Sequence, residues 1–128
     1  MILDSSAVIA VLCHEEGCET LLRKIGLARV ILIGAPTIAE TQLALTVKLG
    51  RDASSLVEQF LTETQTLTVP FGRDHVSEFF GAFLRFGKGR HPARLNVGDC
   101  FTYATAKVAR MPVLYAGNDF ALTDIAAA

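Results

Sequence analysis

Four acids in this chain, Asp4, Glu40, Asp99 and Asp119, stand where they could act together in one reaction. Asp4 directly follows the apolar run Met1-Ile2-Leu3, and Asp119 lies four residues beyond Val113-Leu114-Tyr115. Glu40 and Asp99 fall where the first turns of two helices are expected, after Pro36-Thr37 and after Asn96. Brought to one cleft, four carboxylates repel one another, and some are held toward the neutral form. A hard divalent ion such as Mg²⁺ or Mn²⁺ removes that conflict, because it prefers oxygen ligands. Such an ion lowers the pKa of a bound water and neutralises charge on a phosphate, so the chemistry implied is phosphodiester hydrolysis. Each acid also has a purely structural role open to it. Thr37 with Glu40, and Asn96 with Asp99, fit capping boxes. Asp4 fits an N-cap for a helix opening at Ser5-Ser6, and Asp119 fits a Gly-Asn-Asp turn. Spacing alone does not choose between these roles.

The elements that would carry the acids are readable from periodicity. Met1 to Leu3 predicts a short buried strand, Ser5 to Leu12 a helix and Glu19 to Ile25 another. Arg29 to Ile33 predicts a second strand closed by Gly34, and Pro36 opens a helix that Gly50 stops. Leu56, Val57, Phe60 and Leu61 form a helical stripe, and Thr66 to Val69 a third strand before Pro70. Val76, Phe79, Phe80, Phe83 and Leu84 recur at amphipathic-helix spacing, and the aromatic stripe 79/80/83 is assigned to the core. Asn96 to Arg110 predicts a helix, Val113 to Tyr115 a fourth strand, and Ile125 sits in a short fifth. Strands separated by helices predict an α/β fold with a mainly parallel sheet of four to five strands and helices on both faces. In such sheets, sites form beyond the carboxyl ends of strands, where the acids stand.

Composition sets outer bounds. The 128 residues suffice for one domain, spanning 1–128, and are too few for two. An apolar share of 51% makes the chain core-rich and predicts that some apolar surface meets a partner chain. A net charge of −1 argues against indiscriminate nucleic-acid binding but leaves room for a local basic patch. Three cysteines, Cys13, Cys18 and Cys100, fit no zinc spacing and suit reduced thiols in the cytoplasm. No signal peptide is legible, and the longest apolar run, Ala7 to Cys13, is too short to span a membrane.

The motifs together resemble the PIN-domain family. Met1-Ile2-Leu3-Asp4-Ser5-Ser6-Ala7 looks like its opening strand and acid, and Pro36-Thr37-Ile38-Ala39-Glu40 like its second motif. Leu95-Asn96-Val97-Gly98-Asp99-Cys100 resembles the third, and Val113 to Phe120 with Thr123-Asp124-Ile125 the fourth. The order matches and covers the chain, and the nearest group is the VapC-type toxins of bacterial toxin–antitoxin pairs. The resemblance implies a three-layer α/β/α domain and an endoribonuclease using one or two Mg²⁺ or Mn²⁺ ions. It also implies a homodimer and a small antitoxin partner. It places Asp4 and Asp99 directly on metal, with Glu40 and Asp119 binding directly or through water and one of them orienting the attacking water. Ser6 and Asn96 would support them, and Asp124 would either do so or be a surface turn residue. Ala116 stands where close relatives often carry Lys, which removes one expected phosphate contact.

Lys88, Arg90 and Arg94 cluster with His91 in a Gly- and Pro-containing loop before Asp99, and are candidates for holding an RNA backbone. A solvated loop is the alternative. His75 and His14 read as surface or cap residues. A haloacid-dehalogenase phosphatase needs a second Asp where Ser6 stands, and a receiver domain needs an acidic pair where Ser5 follows Asp4. The remaining alternative is a catalytically silent PIN-like module that binds RNA or protein, whose mark would be lost acids. All four are present.

Overall fold

The computed structural model describes residues 1–128. Its elements are β1 (Ile2–Leu3), α1 (Ser5–Leu12), α2 (Cys18–Leu27), β2 (Leu32–Gly34), α3 (Ala35–Leu49), α4 (Ser54–Glu63), β3 (Leu67–Val69), α5 (Arg73–Phe86), α6 (Val97–Ala109) and β4 (Val113–Leu114). The sheet order is β3-β2-β1-β4, and every pairing is parallel. Each strand therefore ends on the same edge, and β1, which delivers Asp4, lies inside the sheet with a partner on either side.

Strand alternation divides the interior into two layers. Leu3, Ile33 and Leu114 face a core built by α1, α2, α3 and α4 around Val8, Leu21, Leu45 and Val57. Ile2 and Val113, paired with each other in register, face a second core under α5 and α6, with Phe86, Leu95, Tyr103 and Phe120. This is the expected three-layer α/β/α arrangement. No helix is long and apolar enough to cross a membrane.

Several boundaries differ from the sequence pattern for identifiable reasons. β2 begins at Leu32 rather than Arg29, level with the first residues of β1 and β3, while the carbonyls of Val30 and Ile31 before it accept from the Met1 amine and the Leu67 N–H. The fifth strand shrinks to one bridge, Val113 to Ala127, leaving Ile125 outside it but packed at the edge of the second core. Helix α5 forms as expected, yet buries His75, Ala82 and Phe86 with Phe79 half-buried beside them. Phe80 is 59% exposed and stands on an outward stripe with Val76 and Leu84, so it does not belong to the core.

Candidate active site

Three of the four acids are positioned by the ends of elements that meet at the carboxyl edge of the sheet. Asp4 leaves β1 in extended conformation and caps α1, its Oδ2 accepting from the Ser6 N–H at 3.0 Å and the Ser6 hydroxyl at 2.5 Å. Its other oxygen, Oδ1, accepts from the Thr102 hydroxyl at 2.7 Å. Asp4 is buried, and both hydroxyl contacts are short. Asp99 is buried at the opening of α6 in a reciprocal cap: Asn96 Oδ1 accepts from the Asp99 N–H, and Asp99 Oδ2 accepts from the Asn96 N–H. The capping role and the cleft role therefore coexist at Asp99.

Glu40 behaves differently. Helix α3 starts at Ala35, so Glu40 lies in its second turn rather than its first, and the expected capping box with Thr37 does not form. Thr37 instead is buried, its hydroxyl 3.3 Å from that of Thr102. The Glu40 carboxyl lies against Gly98, where any Cβ would overlap it. Its Oε2 is buried and has no hydrogen-bond partner. Burial raises its pKa, with the charges of Asp4 and Asp99 adding and the Ser5 hydroxyl offsetting part. Asp99 is pushed up to about 6, chiefly by burial, against its Asn96 cap, with Asp4 and Asp119 adding to the rise. The acids thus feel one another across one site, which is the conflict expected of carboxylates gathered without a counter-ion.

Asp119 lies in the exposed turn after β4. It lines a cleft of about 560 Å³ with Lys88, Arg94, Asn96 and Asn118. Ser6 ties that turn to Asp4, since its hydroxyl accepts from the Ala116 N–H at 3.0 Å. The Ala116 side chain packs at the edge of the first core, so the cations near Asp119 are Lys88 and Arg94. Arg94 holds a left-handed backbone, φ 55°, inside a loop clamped by the Lys88-to-Leu95 and Leu95-to-Phe86 backbone bonds. Arg90 is turned elsewhere, its guanidinium 5.2 Å from the Phe83 ring.

Asp124 does not join the site. It accepts from the Tyr103 hydroxyl at 2.7 Å and pairs with Arg85 and Lys107 at 3.1 Å each. Lys107 and Asp99 are eight residues apart on α6, which separates their backbones by about 12 Å. Asp124 is a structural tie for α5 and α6, where a supporting role at the site was expected. His75 is a buried cap, its Nδ1 accepting from the Gly72 N–H.

The donor set fits a hard divalent cation. It is made of carboxylates, one of which carries a buried oxygen without a partner. No three His, Cys, Asp or Glu side chains stand together closely enough to hold an ion by themselves. Sequence reading missed Thr102, Thr37 and Gly98. The signal for the threonines was their placement, one turn from an acid on each helix, which gains meaning only once α3 and α6 are known to touch.

Comparison with known proteins accords with this geometry. The PIN-domain family profile matches residues 1–126. A VapC ribonuclease of Mycobacterium bovis and ribonuclease VapC36 of Mycobacterium tuberculosis are each 41% identical over 126 residues, covering 98% of this chain and 91% of theirs. Ribonuclease VapC of Mycolicibacterium smegmatis is 35% identical over 127 residues, covering 99% and 98%. Among solved structures, M. tuberculosis VapC20, described as a toxin that cleaves the sarcin-ricin loop, superposes with a TM-score of 0.79 at 15% identity, covering 99% of this chain and 97% of its own. A toxin–antitoxin complex from Klebsiella pneumoniae gives 0.70 at 14% identity, covering 96% and 92%. At those identities the two structures speak for the fold.

Proposed function

The chain belongs to the PIN-domain family, and from that premise we propose that it is the toxin of a toxin–antitoxin pair, an endoribonuclease dependent on Mg²⁺ or Mn²⁺. The observation that carries the metal reading is the Glu40 carboxyl. It is held against Gly98 with one buried oxygen unpartnered and its pKa raised by burial and by Asp4 and Asp99. Asp4 and Asp99 would hold the ion, with Glu40 and Asp119 directly or through water. When bound, the ion supplies a water of lowered pKa and neutralises charge on the phosphate.

The chain's own residues supply the rest. Asp4, fixed by Ser6 and Thr102, presents its charge in one orientation. Burial and the charges of Asp4 and Asp99 raise the Glu40 pKa and so make it a stronger proton acceptor than a free carboxylate, which suits orienting and deprotonating an attacking water. Asn96 holds the opening of α6 so that Asp99 enters the cleft. Lys88 and Arg94 border the same cleft as Asp119 and would hold the RNA backbone there, with Arg90 farther along the strand. A small antitoxin is the proposed protein partner, and the cytoplasm the proposed location. Exposed Leu43 and Val47 on α3, with Val76, Phe80 and Leu84 on α5, support a homodimer.

Purified antitoxin-free protein, incubated with cellular RNA in Mg²⁺, Mn²⁺ or EDTA, tests this directly. Cuts that require metal and vanish in Asp4→Asn and Asp99→Asn are the expected result. Folded wild type that neither cuts nor binds a divalent ion by calorimetry overturns the catalytic reading and leaves a silent binding module.

A further inference from the structure

We propose that Thr102 and Thr37 form a positioning relay that fixes the Asp4 carboxylate and sets its spacing from Glu40 and Asp99. The inference rests on the metal-dependent nuclease reading and deepens it. A threonine inside a helix can donate its hydroxyl proton to the carbonyl four residues back. Thr41, Thr62 and Thr105 do so here, and Thr64 does so at the C-cap of α4. Thr102, equally helical and fully buried, donates instead to Asp4 Oδ1 at 2.7 Å, across 98 residues of chain. A hydroxyl has one proton to give. With that of Thr102 spent on Asp4, the 3.3 Å contact between Thr37 and Thr102 must run from Thr37 to Thr102. The relay is therefore directional, Thr37 to Thr102 to Asp4, and ends on a carboxylate.

Its placement matters as much as its direction. Thr37 lies three residues before Glu40 on α3, and Thr102 three residues after Asp99 on α6, so each is one turn from an acid on its own helix. The relay consequently bonds together β1, α3 and α6, the three elements that deliver Asp4, Glu40 and Asp99. Ser6 completes the set by linking Asp4 Oδ2 to the Ala116 N–H on the segment that leads to Asp119. With both Asp4 oxygens held by hydroxyl donors, the carboxylate cannot swing. Hydrogen bonds behind a metal-binding carboxylate typically change metal affinity by about 10–100-fold when removed.

The test is a Mn²⁺ titration by calorimetry on wild type, Thr102→Val, Thr102→Ser and, as control, Asp4→Asn, with unfolding of each measured in EDTA. Valine keeps the volume and removes the donor, while serine keeps the donor. The expected result is a Kd weakened about tenfold in Thr102→Val, within about twofold of wild type in Thr102→Ser, and lost in Asp4→Asn. In RNA cleavage the same valine variant should need about tenfold more Mg²⁺ for half-maximal rate. A folded Thr102→Val that binds Mn²⁺ as wild type does overturns the relay and leaves the nuclease reading standing. If Thr102→Val fails to fold, Thr37→Val decides: a weakened Kd supports the relay, an unchanged one overturns it. Wild type that neither binds Mn²⁺ nor cuts RNA removes the nuclease reading, and the relay with it.

Discussion

Helix α6 carries two acidic centres built on opposite terms. At its first turn, Asp99 meets Asp4 and Glu40 in a cleft where burial and mutual charge push carboxylates toward neutrality. One and two turns on, Tyr103 and Lys107 join Arg85 around Asp124, whose pKa they draw down to about 2 although its burial acts the other way. The first centre has more acceptors than donors, including a buried Glu40 oxygen with no partner. The second has a donor on every side of one carboxylate. An unmet buried acceptor costs stability and calls for an explanation, such as an ion or a water that fills it. The contrast separates binding chemistry from structural pairing without appeal to sequence motifs.

The sharpest way to break the contrast is Gly98→Ala. The added Cβ would overlap the Glu40 carboxyl, the far end of a flexible side chain, and push it out of the cleft. Alanine is favoured in a helix, and the displaced acid regains water, so the fold should hold. RNA cleavage should fall by about 100-fold or more, the scale expected when a reacting group moves by an ångström. Thermal unfolding measured beside the cleavage assay checks both halves. Retained cleavage would mean that Glu40 is not needed where the structure holds it.

Paired substitutions separate the centres by stability. Asp124→Asn should destabilise by about 1–3 kcal/mol, because the amide keeps one acceptor oxygen but loses the charge and turns an NH₂ toward the Tyr103 hydroxyl and two cations. Its RNA cleavage per folded molecule should stay near wild type. Glu40→Gln should do the reverse, abolishing cleavage while leaving metal-free stability equal or raised by about 1 kcal/mol, since one crowded charge is gone. Urea unfolding in EDTA reads the first quantity, and cleavage at matched folded concentration the second.

Much of the architecture is legible in the chain. The strand end at Leu3 follows from a short apolar run, the fourth strand stops at Leu114, one residue before the expected Tyr115, and parallel order follows from helices between strands. Asp4 and Asp99 are legible because their local capping geometry and their site geometry coincide. The misreadings share a cause. Asp124 stands in the right stretch of sequence for the site, but its side chain answers to Arg85 and Lys107, which no local pattern connects to it. Phe80 carries the same periodicity as Phe79, yet only contact with Phe101, 4.7 Å between ring centroids for Phe79, decides which faces inward. Thr102 looks like any helical threonine until Asp4 is beside it. Periodicity reports which element forms; pairing between distant elements decides what each face does.

The smallest expected effect, and the one that puts both centres on a single axis, is the pH dependence of stability without metal. Above about pH 6, Asp99 is ionised in native and unfolded chains alike. Between about pH 6 and the ordinary carboxylate range near 4, the native state alone holds the proton, so acidification stabilises the fold. Glu40, also raised, acts in the same direction. Asp124 acts oppositely: its contribution is complete above pH 4 and is lost only as pH falls toward about 2. Unfolding in EDTA should therefore show stability rising by about 1 kcal/mol from pH 7.5 to 5.5 and falling again below pH 4. Asp99→Asn should flatten the first limb and spare the second, and Asp124→Asn should do the converse. Saturating Mg²⁺ should reverse the first limb in wild type, because an ion held by Asp4 and Asp99 must compete with the proton. A rise on acidification that persists unchanged in Asp99→Asn and Glu40→Gln would show that the crowding of the cleft lies elsewhere.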